Sequence, residues 1–273
     1  MAACVEPMYL PKRERYVPCG KCGYCLKNRK EDWQFRIANE MKYCDSVYFV
    51  TLTYSDEYVP IQYGTGLEIL SKDDLQNFFK RLRYYHSLHS KSQIRYYAVG
   101  EYGSEFLRPH YHIILFNALF ADVEKAWPLG FVQVEPPNMG AVGYTVGYVS
   151  SVDNLSVGRG VPKQFALMSK RPALGYRYLH THSKWHTDGL RNYSQINGIG
   201  GRLPRYYKKK MFNESQKEIL SERALEAYEN QYNTLFLHYK ALGYSDPHST
   251  VREQQRFNES VLMQKILETK KKI

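Results

Sequence analysis

Two histidines stand two positions apart in His110-Tyr111-His112. On an extended strand, residues i and i+2 point to the same face, so both imidazoles would converge on one spot of a sheet. Imidazole nitrogens with a carboxylate suit a divalent cation, leaving coordination positions open for a phosphate oxygen. The segments Arg95–Tyr102 (RYYAVGEY) and His110–Phe116 (HYHIILF) both have strand composition, and the short link between them predicts an antiparallel hairpin. The hairpin carries Glu101 beside the two histidines and makes it the natural third ligand. A His-x-His pair alone is a weak signal, since most such pairs are ordinary strand histidines; the hairpin partner strengthens it.

A second pair of residues suits phosphate chemistry. Tyr144 and Tyr148, in GAVGYTVGYVSSV, are spaced i,i+4 and share one face of a helix. A phenol with a pKa near ~10 is a poor nucleophile unless something assists it, and a cation that draws charge from the scissile phosphate gives that assistance. Attack would leave a tyrosine–DNA phosphodiester, which keeps the bond energy and can be reversed into a ligation. Two tyrosines on one face could alternate without the protein dissociating. Spacing alone favours the blander role of aromatics packed on a sheet. Gly143 and Gly147 weaken the helix by about 1 kcal/mol each relative to Ala.

The five cysteines are Cys4, Cys19, Cys22, Cys25 and Cys44. An odd number with tight spacing argues against a disulfide framework and for a reducing compartment. Cys19, Cys22 and Cys25 supply three thiols for a structural Zn2+ site, with Cys4 or Cys44 available as the fourth ligand. Free buried thiols are the alternative. An iron–sulfur cluster fits less well, because the usual run ends in a further Cys-Pro.

These groups need a scaffold. The order of elements reads β-α-β-β-α-β-α. A strand spans Val47–Tyr54, a helix opens at Ser71 with Asp74 as a capping box, and a short helix covers Phe120–Trp127. A strand follows at Phe131–Val134, then a helix from Ala141 to about Val152. This predicts an α+β fold, with helices packed on an antiparallel sheet and a C-terminal helical extension. Before it, residues 1–25 read as irregular and Leu26–Cys44 as a helix; after it, residues 153–212 read as irregular and basic. From Glu214 the chain is helical. Leu225, Tyr228, Tyr232, Leu235, Tyr239 and Leu242 form a heptad-like seam, Asp246-Pro247 breaks it, and a second helix runs from about Thr250 to Lys270. The expected organisation is an N-terminal cysteine segment and helix (1–45), a catalytic domain with a basic loop region (46–212) and the helical extension (213–273).

The 273 residues carry a formal charge of +11 with a pI near 9.2, which favours a polyanionic partner. Tyrosine is abundant, with 25 residues, and offers stacking faces for bases. Basic stretches at Lys27–Lys30, Lys80–Arg83 and Arg205–Lys210 are interleaved with or flanked by tyrosines. Lys163, Lys170, Arg171, Arg205 and Lys208 are the expected DNA contacts. No apolar run reaches the length of a membrane span, and MAACVEPMYL does not read as a secretory signal.

The chain resembles the HUH endonuclease superfamily, in which two histidines flank a hydrophobic residue, and within it the replication initiators of gokushovirus-type microviruses. The segments that carry the likeness are VPCGKCGYCLKNRKEDWQFR, FVTLTY, GEYGSEFLRPHYHIILF, the tyrosine helix, FALMSKRPALGYRYL and LPRYYKKKMF, from residue 17 to about 212. The resemblance implies His110 and His112 as ligands of a catalytic Mg2+ or Mn2+, Glu101 completing the site, and Tyr144 and Tyr148 as nucleophile candidates. It implies nicking at a single-stranded replication origin that leaves a 5′-phosphotyrosine and a free 3′-hydroxyl. The partners would be the host polymerase and helicase, and the place the bacterial host's cytoplasm. One departure is that related initiators often carry a lysine in or just after the tyrosine helix, and none stands there; Lys163 or Lys170 would have to serve. Two other readings fit the same residues. One is a plasmid or transposon relaxase-type initiator; the other is a non-catalytic, zinc-containing nucleic-acid-binding protein with structural histidines.

Overall fold

A computed structural model describes residues 4–103, 106–137, 139–149, 160–196 and 199–271. The chain divides into two compact units, one of residues 36–176 and the other of residues 1–35 with 177–273. The first unit is built on a five-stranded antiparallel sheet. Its strands are β3 (Val47–Tyr54), β4 (Arg95–Tyr102), β5 (Pro109–Phe116), β6 (Gly130–Glu135) and β7 (Phe165–Met168), in the order β6-β3-β5-β4-β7. β1 (Met8–Leu10) and β2 (Arg15–Val17) belong to the second unit.

Strand alternation sorts the sheet into two faces. Val50, Leu52, Tyr54, Ala98, Tyr102, Tyr111, Ile113 and Leu115 point to one face. There they meet Leu75, Phe78, Phe79 and Leu82 of α2 (Lys72–Ser87) and Val123 and Ala126 of α3 (Phe120–Ala126) in the main core. These helices follow α1 (Gly23–Met41). Gly100, on the same face, has no side chain where a Cβ would lie 3.1 Å from the Phe165 ring and 3.2 Å from Leu70, so glycine lets the edge strand β7 close in. The opposite face carries Phe49, Thr51, Tyr97, Val99, Glu101, His110, His112 and Ile114. With α2 and α3 on the first face, α4 (Met139–Val149), which packs on β4 and β5, covers the second, burying Val142, Thr145 and Val146. The expected helix 141–152 lies outside the described residues beyond Val149.

The Ser71 cap differs from the expected capping box. Ser71 Oγ accepts the Asp74 N–H at 3.1 Å, but the Asp74 carboxylate accepts the Tyr54 hydroxyl at 2.9 Å. The core tyrosine claims the group that would have closed the box. A buried ion pair sits below the sheet edge. Arg95 binds both Glu40 carboxylate oxygens, Glu40 Oε2 accepts the Gly175 N–H at 2.7 Å, and Arg95 Nη1 donates to the Pro172 carbonyl at 3.0 Å.

The second unit corrects two expectations. Residues 1–25 are not wholly irregular, since β1 and β2 form a small hairpin. The described part of residues 153–212 holds β7, α5 (Arg177–Asp188), the hairpin of β8 (Tyr193–Ile196) and β9 (Ile199–Arg202), and α6 (Arg205–Met211). α5 escapes an apolar-periodicity reading because its inward face is polar by type. Tyr178 and His186 are buried, and the Tyr178 hydroxyl meets His186 Nε2 at 2.8 Å. Around them Phe35, Leu203, Tyr207 and Phe212 form an aromatic core. The C-terminal region is the expected pair of helices, α7 (Glu214–Ala241) and α8 (Pro247–Lys271), packed on each other. Of the seam, Tyr232 and Tyr239 engage α8 through His248 and Gln254, while Leu225, Tyr228 and Leu242 are exposed.

Candidate metal centre

The β4–β5 hairpin pairs Glu101 directly with His110 and Val99 with His112, and β3 places Thr51 opposite His112. The three expected ligands therefore meet on one face. Glu101 Oε1 lies 2.8 Å from His110 Nε2 and 2.8 Å from His112 Nε2. Glu101 is 1% exposed and His112 8%, with the His110 side chain more open at 18%.

The far nitrogens are also held. His110 Nδ1 lies 3.0 Å from the Arg108 carbonyl, and His112 Nδ1 lies 3.0 Å from Thr51 Oγ1. A carbonyl can only accept, so His110 Nδ1 carries a proton. In the neutral ring Nε2 then presents a lone pair, aimed at a carboxylate oxygen 2.8 Å away. Two acceptors at that distance repel unless a cation or a proton lies between them. Backbone and hydroxyl partners on ligand histidines are the usual way a site fixes the ring orientation. Phe49 adds to this by stacking on His112 at a centroid distance of 5.3 Å.

The electrostatics follow from burial and pairing. Burial alone would push the Glu101 carboxyl up, but the hydrogen bonds and charge of the two imidazoles outweigh it and hold the group below the ordinary carboxylate value. Burial pulls His110 down, and the Glu101 hydrogen bond and charge, with the Arg108 carbonyl, outweigh it and raise its pKa. The trio fits a divalent cation: one carboxylate and two imidazole nitrogens on a rigid sheet, with ligand atoms within 4.8 Å of one another.

Tyr111, between the histidines, points to the opposite face. Its hydroxyl donates to the Ser71 carbonyl at 2.7 Å, accepts the Ser71 N–H at 3.0 Å and meets the Tyr54 hydroxyl at 2.7 Å. Burial pushes its pKa up to about 12. It is a buried structural phenol turned away from the ligands. Tyr144 and Tyr148 lie on the backbone of α4, the helix on the ligand face; their side chains lie outside the described residues.

The expected DNA contacts fall in different surroundings. Lys170 and Arg171 are exposed and line a cleft of about 440 Å³ with Lys80, Arg83 and Tyr96. Arg83 stacks over the Tyr96 ring at 5.6 Å, and Tyr96 itself stacks on Phe79 at 3.5 Å. Lys163 and Arg205 are exposed elsewhere on their units. Lys208 is half-buried; burial and the Arg202 charge, partly offset by Asp32, push its pKa down to about 8. Of the cysteines, Cys4 joins Cys19, Cys22 and Cys25 in one group, and Cys44 instead contacts the Met41 carbonyl.

Sequence reasoning reached the three ligands and missed their supports: Thr51, Phe49 and the Arg108 carbonyl. Thr51 was findable, because Val47–Tyr54 alternates and its odd-numbered positions share the histidine face once β3 is paired with β5.

Residues 47–153, from β3 through α4, match the family model of the replication-associated protein ORF2. The chain is 29% identical over 226 residues to replication-associated protein ORF2 of Spiroplasma virus 4, a match covering 74% of this chain and 70% of that protein. It is 26% identical over 217 residues to replication-associated protein ORF4 of Chlamydia phage 1, covering 70% of this chain but only 52% of that protein. The same identity links it to replication-associated protein VP4 of Bdellovibrio phage phiMH2K, over 70% of this chain and 65% of that protein. No solved structure matches the chain.

Proposed function

We propose that this relative of the microvirus replication-associated proteins initiates rolling-circle replication of a small circular single-stranded DNA genome, nicking the origin with a tyrosine. The observation that carries the reading is Glu101, His110 and His112 converging on one sheet face, with α4 packed against the same face. Glu101 and the Nε2 atoms of the two histidines would hold Mg2+ or Mn2+. When bound, such an ion supplies Lewis-acid stabilisation of the charge that builds on a phosphate under attack.

The chain's own residues do the rest. Thr51 and the Arg108 carbonyl keep the imidazole rings oriented, so the site needs no reorganisation before reaction. Tyr144 or Tyr148 attacks phosphorus. The new P–O bond forms as the bond to the 3′-oxygen breaks, and the phenolic proton leaves to solvent or a nearby base. The products are a 5′-phosphotyrosine and a 3′-hydroxyl that a host polymerase can extend in the host cytoplasm. The reverse step, attack by a 3′-hydroxyl on the adduct, rejoins ends. Lys80, Arg83, Lys170 and Arg171 around the cleft supply phosphate contacts, and Tyr96 a stacking surface, for the single strand.

The test incubates the protein with single-stranded fragments of its genome and Mg2+ or Mn2+. A covalent protein–DNA band that chelator abolishes supports the reading. Tight binding with no cleavage under any divalent metal would favour a binding module instead.

A further inference from the structure

We propose that Cys4, Cys19, Cys22 and Cys25 hold a structural Zn2+ ion that fastens the N-terminal hairpin to the start of α1. The four sulfurs lie within 4.8 Å of one another, with Cys19–Cys25 at 4.0 Å and Cys4–Cys22 at 3.9 Å. A tetrahedral site with Zn–S near ~2.3 Å requires sulfurs about 3.8 Å apart. A disulfide would need about 2.05 Å. The spacing is that of a shared central ion.

The backbone is arranged for thiolates. Lys21 and Cys22 donate their N–H groups to Cys19 Sγ at 3.5 and 3.3 Å, and the Cys19 N–H reaches Cys4 Sγ at 3.2 Å. Such donors stabilise the deprotonated sulfur that a metal takes. Gly20 has φ +79°, the left-handed turn that brings the amides of Lys21 and Cys22 back onto Cys19, and Arg29 donates to its carbonyl at 3.2 Å. That puts a cation beside a site that would carry two negative charges once four thiols release four protons to solvent and bind one Zn2+. The donor set is all sulfur, which selects a soft or borderline ion. The Glu101 trio, with its oxygen donor and two imidazoles, draws on a different class.

Cys4 reaches the cluster across β1 and β2, so the ion would close a loop from residue 4 to residue 19. The knuckle also seats the C-terminal helix. The Gly23 N–H donates to Glu259 Oε1 at 2.7 Å, and a Cβ at Gly23 would lie 3.4 Å from Met263 N, so the α8 backbone packs directly beside Cys22 and Cys25. Loss of the ion should therefore loosen both the hairpin and α8.

The inference is independent of nicking, and its test reads metal content. Full-length protein purified under reducing conditions is analysed for bound metal, and zinc affinity is measured by competition with a chromophoric chelator. One zinc per chain is expected. Cys4→Ser should bind zinc at least about 10-fold more weakly, and Cys44→Ser should keep it unchanged. Should Cys4→Ser fail to fold, the native chain loaded with Co2+ decides, because a tetrahedral four-sulfur site gives intense visible and thiolate charge-transfer bands. Stripping the metal should also open the N-terminal hairpin and α8 to protease. Zinc-free folded protein whose cysteines all titrate freely would overturn the proposal. So would iron in place of zinc, or zinc lost in Cys44→Ser but retained in Cys4→Ser.

Discussion

Glu101→Gln separates the ligand role of this carboxylate from its structural role. The amide is nearly isosteric and occupies a side chain only 1% exposed, so packing is preserved. Oε1 contacts both imidazoles at 2.8 Å. As charge-assisted contacts these contribute about 1.5–3 kcal/mol each, whereas an amide N–H donating to a neutral Nε2 lone pair restores about 1 kcal/mol. The metal-free fold should thus lose about 1–3 kcal/mol. The cation should lose far more, because the only negative ligand is gone; an affinity drop of at least about 100-fold is expected, by comparison with changes in supporting residues. At Mn2+ concentrations near 100 times the native Kd, binding stabilises the native protein by about 2.7 kcal/mol. In the Gln variant the same concentration would contribute about 0.4 kcal/mol. The difference corresponds to roughly 5–9 °C in the metal-induced rise of Tm for a unit of this size. The assay is thermal denaturation with Mn2+ and with chelator, run beside adduct formation on single-stranded DNA. A Gln variant that keeps the full Mn2+-induced shift would refute Glu101 as a ligand, whatever its activity.

Tyr111→Phe should cost about 1–2 kcal/mol in urea unfolding through its lost hydrogen bonds to Ser71 and Tyr54, while adduct yield stays native; loss of the adduct in a stably folded variant would contradict its structural assignment. Glu40→Ala strands the buried Arg95 guanidinium and should destabilise the sheet unit by about 3–5 kcal/mol, with Glu40→Gln milder; equal effects of the two would show that the charge does not matter there. In chelator, the Glu101–His110 pair gives a bell-shaped contribution to stability. Glu101, held below its ordinary value of 4.5, contributes fully above that pH and loses its contribution as pH falls through the lowered value. His110, raised above 6.5, contributes fully below that pH and loses its contribution as pH rises through the raised value. The native-minus-His110→Ala stability difference should therefore peak between these ordinary values, and a difference flat from acid to alkaline pH would contradict the pairing.

The candidate site was legible because its signals are local. The period of a strand puts His110 and His112 on one face, and a short link forces Glu101 beside them, so only one pairing decision was needed. The sheet order was less legible. β7 is four residues long, Phe165–Met168, and its place next to β4 depends on Gly100 making room for Phe165, a contact across 65 positions that no local pattern announces. α5 was hidden because tyrosine and histidine fill its buried face and satisfy each other by hydrogen bonding, which a hydrophobic period cannot register. The choice of Cys4 over Cys44 likewise depends on how the β1–β2 hairpin folds back, and spacing left both open. Arg95 reads as a surface residue at the start of a strand, yet Glu40, from α1, makes it a buried one.

The central claim is that a tyrosine of α4 takes the DNA covalently under the influence of the Glu101 trio. The most direct measurement is mass-spectrometric mapping of the residue carrying the nucleotide after reaction with a short origin oligonucleotide and Mn2+. It should be repeated on Tyr144→Phe, Tyr148→Phe and the double variant. The account predicts adducts on Tyr144 and Tyr148, some adduct in each single variant, none in the double variant, and none in chelator. An adduct on any tyrosine outside α4, or undiminished adduct in the double variant, would contradict it.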